Sequence, residues 1–193
     1  MPWEKQYDRD DVLERATVAF WRHGYEGTSV ADLVAATGLH KGSLYAGFGG
    51  KRALFAAALR HYDKRYRQDF LQELQAKPSP RAAILEAFCA AAEPRADRPP
   101  GCLTVNTALE MAPHDSEARA WVQDSFDGLS AFFHACATAA RDKGEIAPDL
   151  DPDAVATTLL GLFLGLRVLA RSGAEQAMRT ALITQAEAIL RRP

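Results

Sequence analysis

The stretch Thr28-Ser-Val-Ala-Asp-Leu-Val-Ala-Ala-Thr-Gly-Leu-His-Lys-Gly-Ser-Leu-Tyr-Ala-Gly-Phe-Gly-Gly-Lys51 contains two short helical patterns, broken at Gly38 and closed by a glycine-flanked aromatic. Thr28 or Ser29 can cap the first by accepting from an amide two or three residues on, and Asp32 falls in its first turn, where a negative charge is favoured. Val30, Leu33 and Val34 form its apolar face. Gly38 turns the chain, because glycine takes the left-handed conformation without a Cβ clash, and Leu39 fills the space between the helices. The second helix offers Leu44 and Phe48, four residues apart and so on one face, to the core. Lys41, Ser43, Tyr45, Ala46 and Gly47 are left on its other faces. This is the pattern of a helix-turn-helix whose second helix enters a DNA groove, although a helical hairpin in any all-α protein has the same local signature.

Charge separates the two readings. A formal net charge of -2 by itself argues against a nucleic-acid ligand, but the average conceals a division. Residues 1–67 hold 11 basic and 8 acidic residues, a balance of +3, whereas residues 68–193 hold 12 and 17, a balance of -5. Between His40 and Arg67 stand Lys41, Lys51, Arg52, Arg60, Lys64, Arg65 and Arg67 against the single acid Asp63. A phosphate backbone would meet this segment first.

These residues resemble the DNA-binding domain of TetR-type transcriptional regulators. The resemblance runs without gaps through Val12, Leu13, Ala16 and Phe20 of a first helix, then Gly24-Tyr25, Thr28-Ser29-Val30, Gly38, Lys41-Gly42-Ser43-Leu44-Tyr45, Phe48, Lys51 and Leu54-Phe55. It implies a three-helix reading head over residues 1–52, and an all-helical domain for effector binding and dimerisation over residues 53–193. It also implies roles: Thr28, Tyr45 and Lys51 holding phosphates of a double-stranded operator, and Lys41, Gly42, Ser43 and Ala46 approaching base edges. Three departures matter. His40 stands where Ser or Thr usually caps the recognition helix, Ala46 and Gly47 replace larger side chains, and Gly50 replaces a capping serine. Small side chains at 46 and 47 leave fewer bidentate base contacts, each worth about 1–3 kcal/mol of discrimination, so more of the specificity falls to Lys41, Ser43 and DNA shape.

The rest of the chain reads as helix throughout, for about nine helices in all, with apolar residues at helical spacing and no sustained period-two alternation. A fourth helix runs from Lys51 to about Gln75 and is ended by Pro78 and Pro80. A fifth spans Arg81 to Ala92; the Pro-rich stretch 93–101 cannot continue it and forms a surface loop. A sixth runs from about Cys102 to Met111. The seventh begins after Asp115, a good cap, and ends at Gly144, burying Val122, Phe126, Leu129, Phe133 and Cys136. Asp151-Pro152 opens the eighth, and Gly173 separates it from a ninth. The longest apolar stretch, Leu159 to Leu166, is halted by Arg167 and falls short of a membrane span. No export signal is visible at the start, and three cysteines without paired spacing fit a reducing cytoplasm.

Helix eight is apolar nearly all round over residues 158–166, so it needs cover on more than one side. Burial within one protomer supplies one explanation. Gly161, Leu162, Gly165 and Leu166 supply another, an interface through helices eight and nine that makes a homodimer and presents two reading heads to a palindrome. The family resemblance further implies an unidentified small-molecule effector, with Tyr62, Tyr66, Phe88, Met111, Trp121, Phe126 and Phe133 as candidate lining residues, although aromatic residues at helical spacing more often serve packing. Cys102 is a candidate redox sensor, since a helix N-terminus and the neighbouring Arg95 and Arg98 stabilise a thiolate. Cys89 and Cys136 fall on helical core faces without an activator.

Nothing in the sequence marks an enzyme. Phe48-Gly-Gly-Lys51 fails as a phosphate loop, because Tyr45 stands where the first glycine is needed and Arg52 where Ser or Thr is needed. The five histidines have no metal-ligand spacing with one another or with the cysteines. No catalytic group, metal or cofactor is therefore expected. The remaining alternatives are an all-helical protein-interaction adaptor and a small-molecule enzyme without DNA binding.

Overall fold

A computed structural model describes residues 8–192. The helix α1 (Arg9–His23) is capped by Asp8, whose carboxylate accepts from the amides of Asp10 and Asp11. In α2 (Val30–Thr37) the cap is Ser29 rather than Thr28, and it forms a reciprocal box: Ser29 accepts from the Asp32 amide and Asp32 from the Ser29 amide. Gly38, with φ 72°, closes α2 and starts the turn into α3 (Lys41–Phe48). Leu33 is buried as expected, whereas Val30 is only half-buried and Thr37 is buried instead, its hydroxyl donating to the Leu33 carbonyl.

The rod α4 begins as α-helix over Lys51–Tyr62, passes through a π stretch over Asp63–Gln68 and returns to α-helix over Asp69–Gln75. The π stretch was not legible in the sequence. It widens the rod where Asp63 accepts from Arg67 and Gln68 of its own helix and from Ser125 across the interface. Burial alone would raise the Asp63 carboxyl, but those hydrogen bonds and the Arg67 charge outweigh it and hold the group below its ordinary value. Then follow α5 (Pro80–Ala92), opened by the Ser79 cap with Pro80 in its first turn, α6 (Leu103–Glu110), α7 (Ser116–Asp142), α8 (Pro152–Arg171) and α9 (Gln176–Ile189). Counted this way there are nine helices and no strand among the described residues. The fold is all-α, with an N-terminal helix-turn-helix.

Two apolar cores organise these helices. The first gathers Val12, Ala16, Phe20 and Trp21 of α1, Leu33, Leu44 and Phe48 of the next two helices, and Leu54, Phe55, Ala58, Leu59 and Tyr62 of α4, with Leu103, Met111 and Ala118 reaching in from α6 and α7. Phe20 meets Phe55 edge-on at 5.0 Å between ring centroids, and burying each such ring contributes about 1.5–3 kcal/mol. The second core lies among the C-terminal half of α4, α5, α7, α8 and α9 around Phe88, Phe132, Phe133 and Leu159. A boundary at 52/53 therefore falls at the start of a helix whose first three turns belong to the N-terminal core.

Two expected core positions differ and one unexpected residue joins the core. Phe126 is half-buried on a cavity wall, Cys89 is exposed, and Phe132, not singled out in the sequence, is buried. The helix α8 is long and apolar enough by composition to cross a membrane. Here it packs against α5, α7 and α9, with Val155, Ala156, Leu159 and Leu166 buried.

Gly101, with φ 83°, lies where a Cβ would stand 2.8 Å from Arg171 Cβ and 3.3 Å from the Arg167 carbonyl. Gly144, with φ 67°, has the same handedness and nothing within 4 Å of a built Cβ. Gly101→Ala should therefore cost about 2–4 kcal/mol, combining backbone strain with a clash against a helix that cannot give. Gly144→Ala should cost only about 1 kcal/mol. Urea unfolding of the two variants separates them; equal losses would show that the α6–α8 contact is not tight.

Candidate nucleic-acid interface and internal cavity

The helix α3 divides as its sequence requires. Leu44 and Phe48 are buried, while Lys41, Gly42, Ser43, Tyr45 and Ala46 are all exposed, Tyr45 at 45%. Lys41 Nζ lies 5.8 Å from the Tyr45 ring centroid, and Lys51 Nζ lies 4.3 Å from that of Tyr25, so both ammonium groups are steered by aromatic faces. His40 caps α3 and Gly50 caps α4 without any side-chain hydrogen bond. Two helix N-termini thus keep first-turn amides for an anion, as phosphate-binding helices do. Arg9, which sequence reasoning did not assign, donates to the Gly47 carbonyl at 3.3 Å and stacks 4.6 Å from the Phe48 centroid, adding a cation beside the end of α3. Thr28 does not join this surface. It is fully buried and its hydroxyl donates to the Gly24 carbonyl at 2.6 Å, so it closes the α1–α2 turn and its side chain is not available to a phosphate.

The basic run is less uniform than its composition implies. Arg52 bridges Asp115 at 2.5 Å and Glu117 at 2.9 Å, Arg65 pairs with Glu14 at 3.4 Å, and Arg67 pairs with Asp63. The exposed cations without an ion pair among the described residues are therefore fewer; beside α3 they are Lys41 and Arg9, with the half-buried Lys51 next to them.

Along the π stretch of α4 a cavity of about 470 Å³ opens between α4, α5, α7 and α8. Of the candidate effector residues Tyr62, Tyr66 and Phe126 line it, and the candidate sensor Cys102 lies on the same wall. Phe88, Phe133, Met111 and Trp121 do not. The first two are fully buried in the second core, Met111 is buried in the first, and Trp121 lies under Arg52 at 5.7 Å, at the α4–α7 junction. In their place the walls hold Trp21, Phe70, Phe163 and a set of arginines, Arg65, Arg67, Arg95, Arg98 and Arg167. The sequence singled out Arg95 and Arg98 beside Cys102, Arg65 and Arg67 in the basic run and Arg167 as the break in the apolar run of α8, but not their convergence on one cavity.

The Tyr62 hydroxyl lies beside Cys102 and Arg167; burial pushes its pKa well up, with the Cys102 charge adding and Arg167 opposing. Tyr66 is pushed up to about 12, by burial first and then by its hydrogen bond to Glu14. Both phenols remain donors at neutral pH. Burial pushes the Cys136 thiol up to about 11, and the Cys89 thiol is raised as well, by desolvation first and then by Glu93, Glu86 and Glu187, so both favour the thiol over the thiolate.

Four side chains tie the body to the reading head. Glu110, at the end of α6, accepts from the amides of Tyr25 at 2.9 Å and Glu26 at 2.8 Å. Asn106 of the same helix donates to the Trp21 carbonyl at 3.3 Å. Arg171, at the end of α8, donates to the carbonyls of Trp21 at 2.9 Å and Arg22 at 2.7 Å, and Arg52 supplies the ion pairs already described. The α6 helix therefore starts at the cavity with Cys102 and ends on the turn that leads into α2.

A helix-turn-helix whose second helix turns Lys41, Ser43 and Tyr45 outward, held by short polar links to a helical body with an internal cavity, is the architecture of a DNA-binding regulator. Residues 12–58 match the family model of bacterial regulatory proteins of the tetR family, and residues 78–184 match that of the tetracyclin repressor-like C-terminal domain. The chain is 35% identical over 175 residues to the uncharacterized HTH-type transcriptional regulator YezE of Bacillus subtilis, covering 89% of this chain and 90% of that one. It is 32% identical over 173 residues to the HTH-type transcriptional repressor ComR of Escherichia coli, covering 88% and 82%. Among solved structures, a cysteine mutant of the TetR family regulator CifR in complex with 26-base-pair operator DNA superimposes with a TM-score of 0.86 at 29% identity over the whole of both chains. The reduced form of Escherichia coli NemR shares the fold, with a TM-score of 0.82 at 22% identity over 96% of this chain and 98% of that one. The chain belongs to the TetR family of transcriptional regulators, a family of regulators rather than of enzymes.

Glu110→Ala would strip two amides of their acceptor, one of them part-buried, at about 1–3 kcal/mol. Amide exchange at Tyr25 and Glu26 should accelerate at least about tenfold, with α7 and α9 unchanged. Unaltered exchange at those two amides would show that the carboxylate does not hold the turn.

Proposed function

We propose that this regulator is a ligand-responsive repressor that acts in the cytoplasm, binds a palindromic operator as a homodimer, and is released when a small molecule enters the cavity or when Cys102 is modified. The observation that carries the DNA half is the exposed face of α3, with Lys41, Gly42, Ser43, Tyr45 and Ala46 outward and Leu44 and Phe48 inward. Lys41 and Ser43 read base edges, Gly42 and Ala46 let the helix approach closely, and Tyr45 and Lys51 anchor phosphates. Thr28 acts only by shaping the turn. That CifR was captured on operator DNA and that ComR is a repressor support the same reading here.

The dimer rests on α8 and α9. Val168 and Met178 are 41% and 54% exposed, Leu162 is half-buried, and Gly161 and Gly165 have open space over their Cα atoms. Leu166 is removed from the interface set because it is fully buried within the protomer. A second copy covering these residues would place two α3 helices for successive turns of the duplex. The effector half rests on the cavity, where Tyr62, Tyr66 and Phe126 supply walls and Cys102 a thiol at the start of α6. A bulky adduct or bound molecule there would push on the helix that ends at Glu110.

Selection of random duplexes by the purified protein, followed by sequencing, tests the operator. A recovered palindrome is the expected result, and the absence of any motif from a folded protein would leave the helix-turn-helix without its function. Lys51→Ala should weaken every duplex about equally and lower the slope of log K against log salt by about 0.9; a changed sequence preference instead would assign Lys51 to base reading. Cys102→Ser should keep operator affinity yet lose release by hydrogen peroxide or N-ethylmaleimide. Release at the same dose in that variant would remove Cys102 as the sensor.

A further inference from the structure

Beside the large cavity lies a smaller chamber of about 70 Å³, under the loop 93–101 and between α8 and α9. Arg95, Arg98 and Arg167 line both spaces, and Arg179 of α9 lines the smaller one. We propose that the two spaces form one site for an organic anion, its acidic head held by Arg98, Arg167 and Arg179 and its apolar body lying against Tyr62, Tyr66 and Phe163. This deepens the effector reading above and rests on it.

The donors are the first argument. Arg98 Nε and Arg179 Nε are both buried and have no acceptor. Their remaining nitrogens are only partly used. Arg98 Nη2 reaches Asp97 at 3.3 Å, and Arg179 Nη1 donates to the Ala174 carbonyl. Arg167 donates one hydrogen from Nη1 to the Ala91 carbonyl at 3.4 Å and one from Nη2 to the Gly101 carbonyl, which leaves a second hydrogen on each nitrogen. A buried guanidinium N–H without an acceptor is costly, and a carboxylate or phosphate is the acceptor that its planar fork matches.

The acids do not cancel this set. Asp97 is taken up by Arg95 at 3.0 and 3.2 Å as well as by Arg98, and Glu93 is the one acid lining the smaller chamber, where four arginines converge. The large cavity is lined by Asp69, Glu73 and Asp97 against Arg65, Arg67, Arg95, Arg98 and Arg167, and of these acids Asp97 is the one already paired with arginine.

Size is the second argument. A benzene ring fills a cavity of roughly 150 Å³, so a chamber of 70 Å³ takes a head group and excludes a ring, whereas 470 Å³ accommodates the body. Arg98 stands at the join, its guanidinium 4.9 Å from the Tyr66 ring centroid. An acid seated there would tie α8 and α9 to the loop that ends at Gly101, one residue before the thiol that opens α6.

Calorimetry on the full chain without DNA tests the proposal with three matched pairs: benzoate and benzamide, phenylacetate and phenylacetamide, phenyl phosphate and benzyl alcohol. At least one acid should bind tenfold or more tightly than its neutral partner, and that preference should vanish in Arg179→Gln while neutral binding is unchanged. Arg98→Gln is the second variant should Arg179→Gln lose its fold by circular dichroism. Equal binding of acids and neutral partners, binding of inorganic phosphate but of no organic acid, or binding of none of the panel would each overturn the anion site. Operator release by a neutral electrophile in any of those cases would leave the effector reading intact, so the two fail separately.

Discussion

The turn from α1 into α2 is the constraint on which this molecule hangs. Its first residue, Gly24, takes φ 78° with ψ 177°, and a Cβ there would stand 2.7 Å from a Glu110 oxygen, so the carboxylate can approach only because the side chain is missing. From that position Glu110 accepts two successive amides, while Thr28 closes the turn from within by donating to the Gly24 carbonyl. The angle between α1 and the reading helices is therefore set by an acceptor that belongs to the body. A charge-assisted pair of this kind is directional as well as favourable, so the end of α6 fixes the orientation of the turn.

The same economy governs charge. The basic run from Lys41 to Arg67 divides into lysines without an ion pair among the described residues, the exposed Lys41 and the half-buried Lys51 near the recognition helix, and arginines paired with Glu14, Asp63, Asp115 and Glu117. Exposed pairs contribute little individually, about 0–1 kcal/mol, so the gain from these pairs lies in geometry. Arg52 fixes the N-terminus of α4 to that of α7, and Asp63 fixes the π stretch to Ser125. The rod that carries the reading head is thereby held at two heights on the body.

Much of this was legible in the residues, and what was not has a common cause. Caps and breakers at Ser29, Gly38, Asp115, Gly144 and Asp151-Pro152 act within a few residues, and they delimited helices correctly. The split of α3 into a buried Leu44–Phe48 face and an outward face followed from 3.6-residue periodicity alone. Side-chain burial that depends on tertiary packing is not written in local spacing. Thr28 is placed like a phosphate ligand in the chain but is buried and donates to Gly24, Phe88 and Phe133 are packed by Phe163 rather than left on a wall, and Leu166 is covered inside the protomer. The π stretch escaped notice for the same reason, because residues 63–68 contain no glycine or proline and Ser125, which holds Asp63, lies 62 positions away.

Arg167 shows how the two levels meet. In the sequence it is an intruder in an apolar run, and a surface position would explain it cheaply. Its guanidinium instead turns toward the carbonyls of Ala91 and Gly101, so α8 reaches across to the end of α5 and the start of α6 with one side chain. One turn on, Arg171 continues the reach to the carbonyls of Trp21 and Arg22 in α1. Two arginines four residues apart on one helix face thus span from the cavity wall to the reading head. The cavity wall is joined to α1 and its following turn twice, along α6 to Glu110 and along α8 to Arg171, and both contacts fall within residues 21–26, outside the core that Phe20, Phe55 and Leu44 seal.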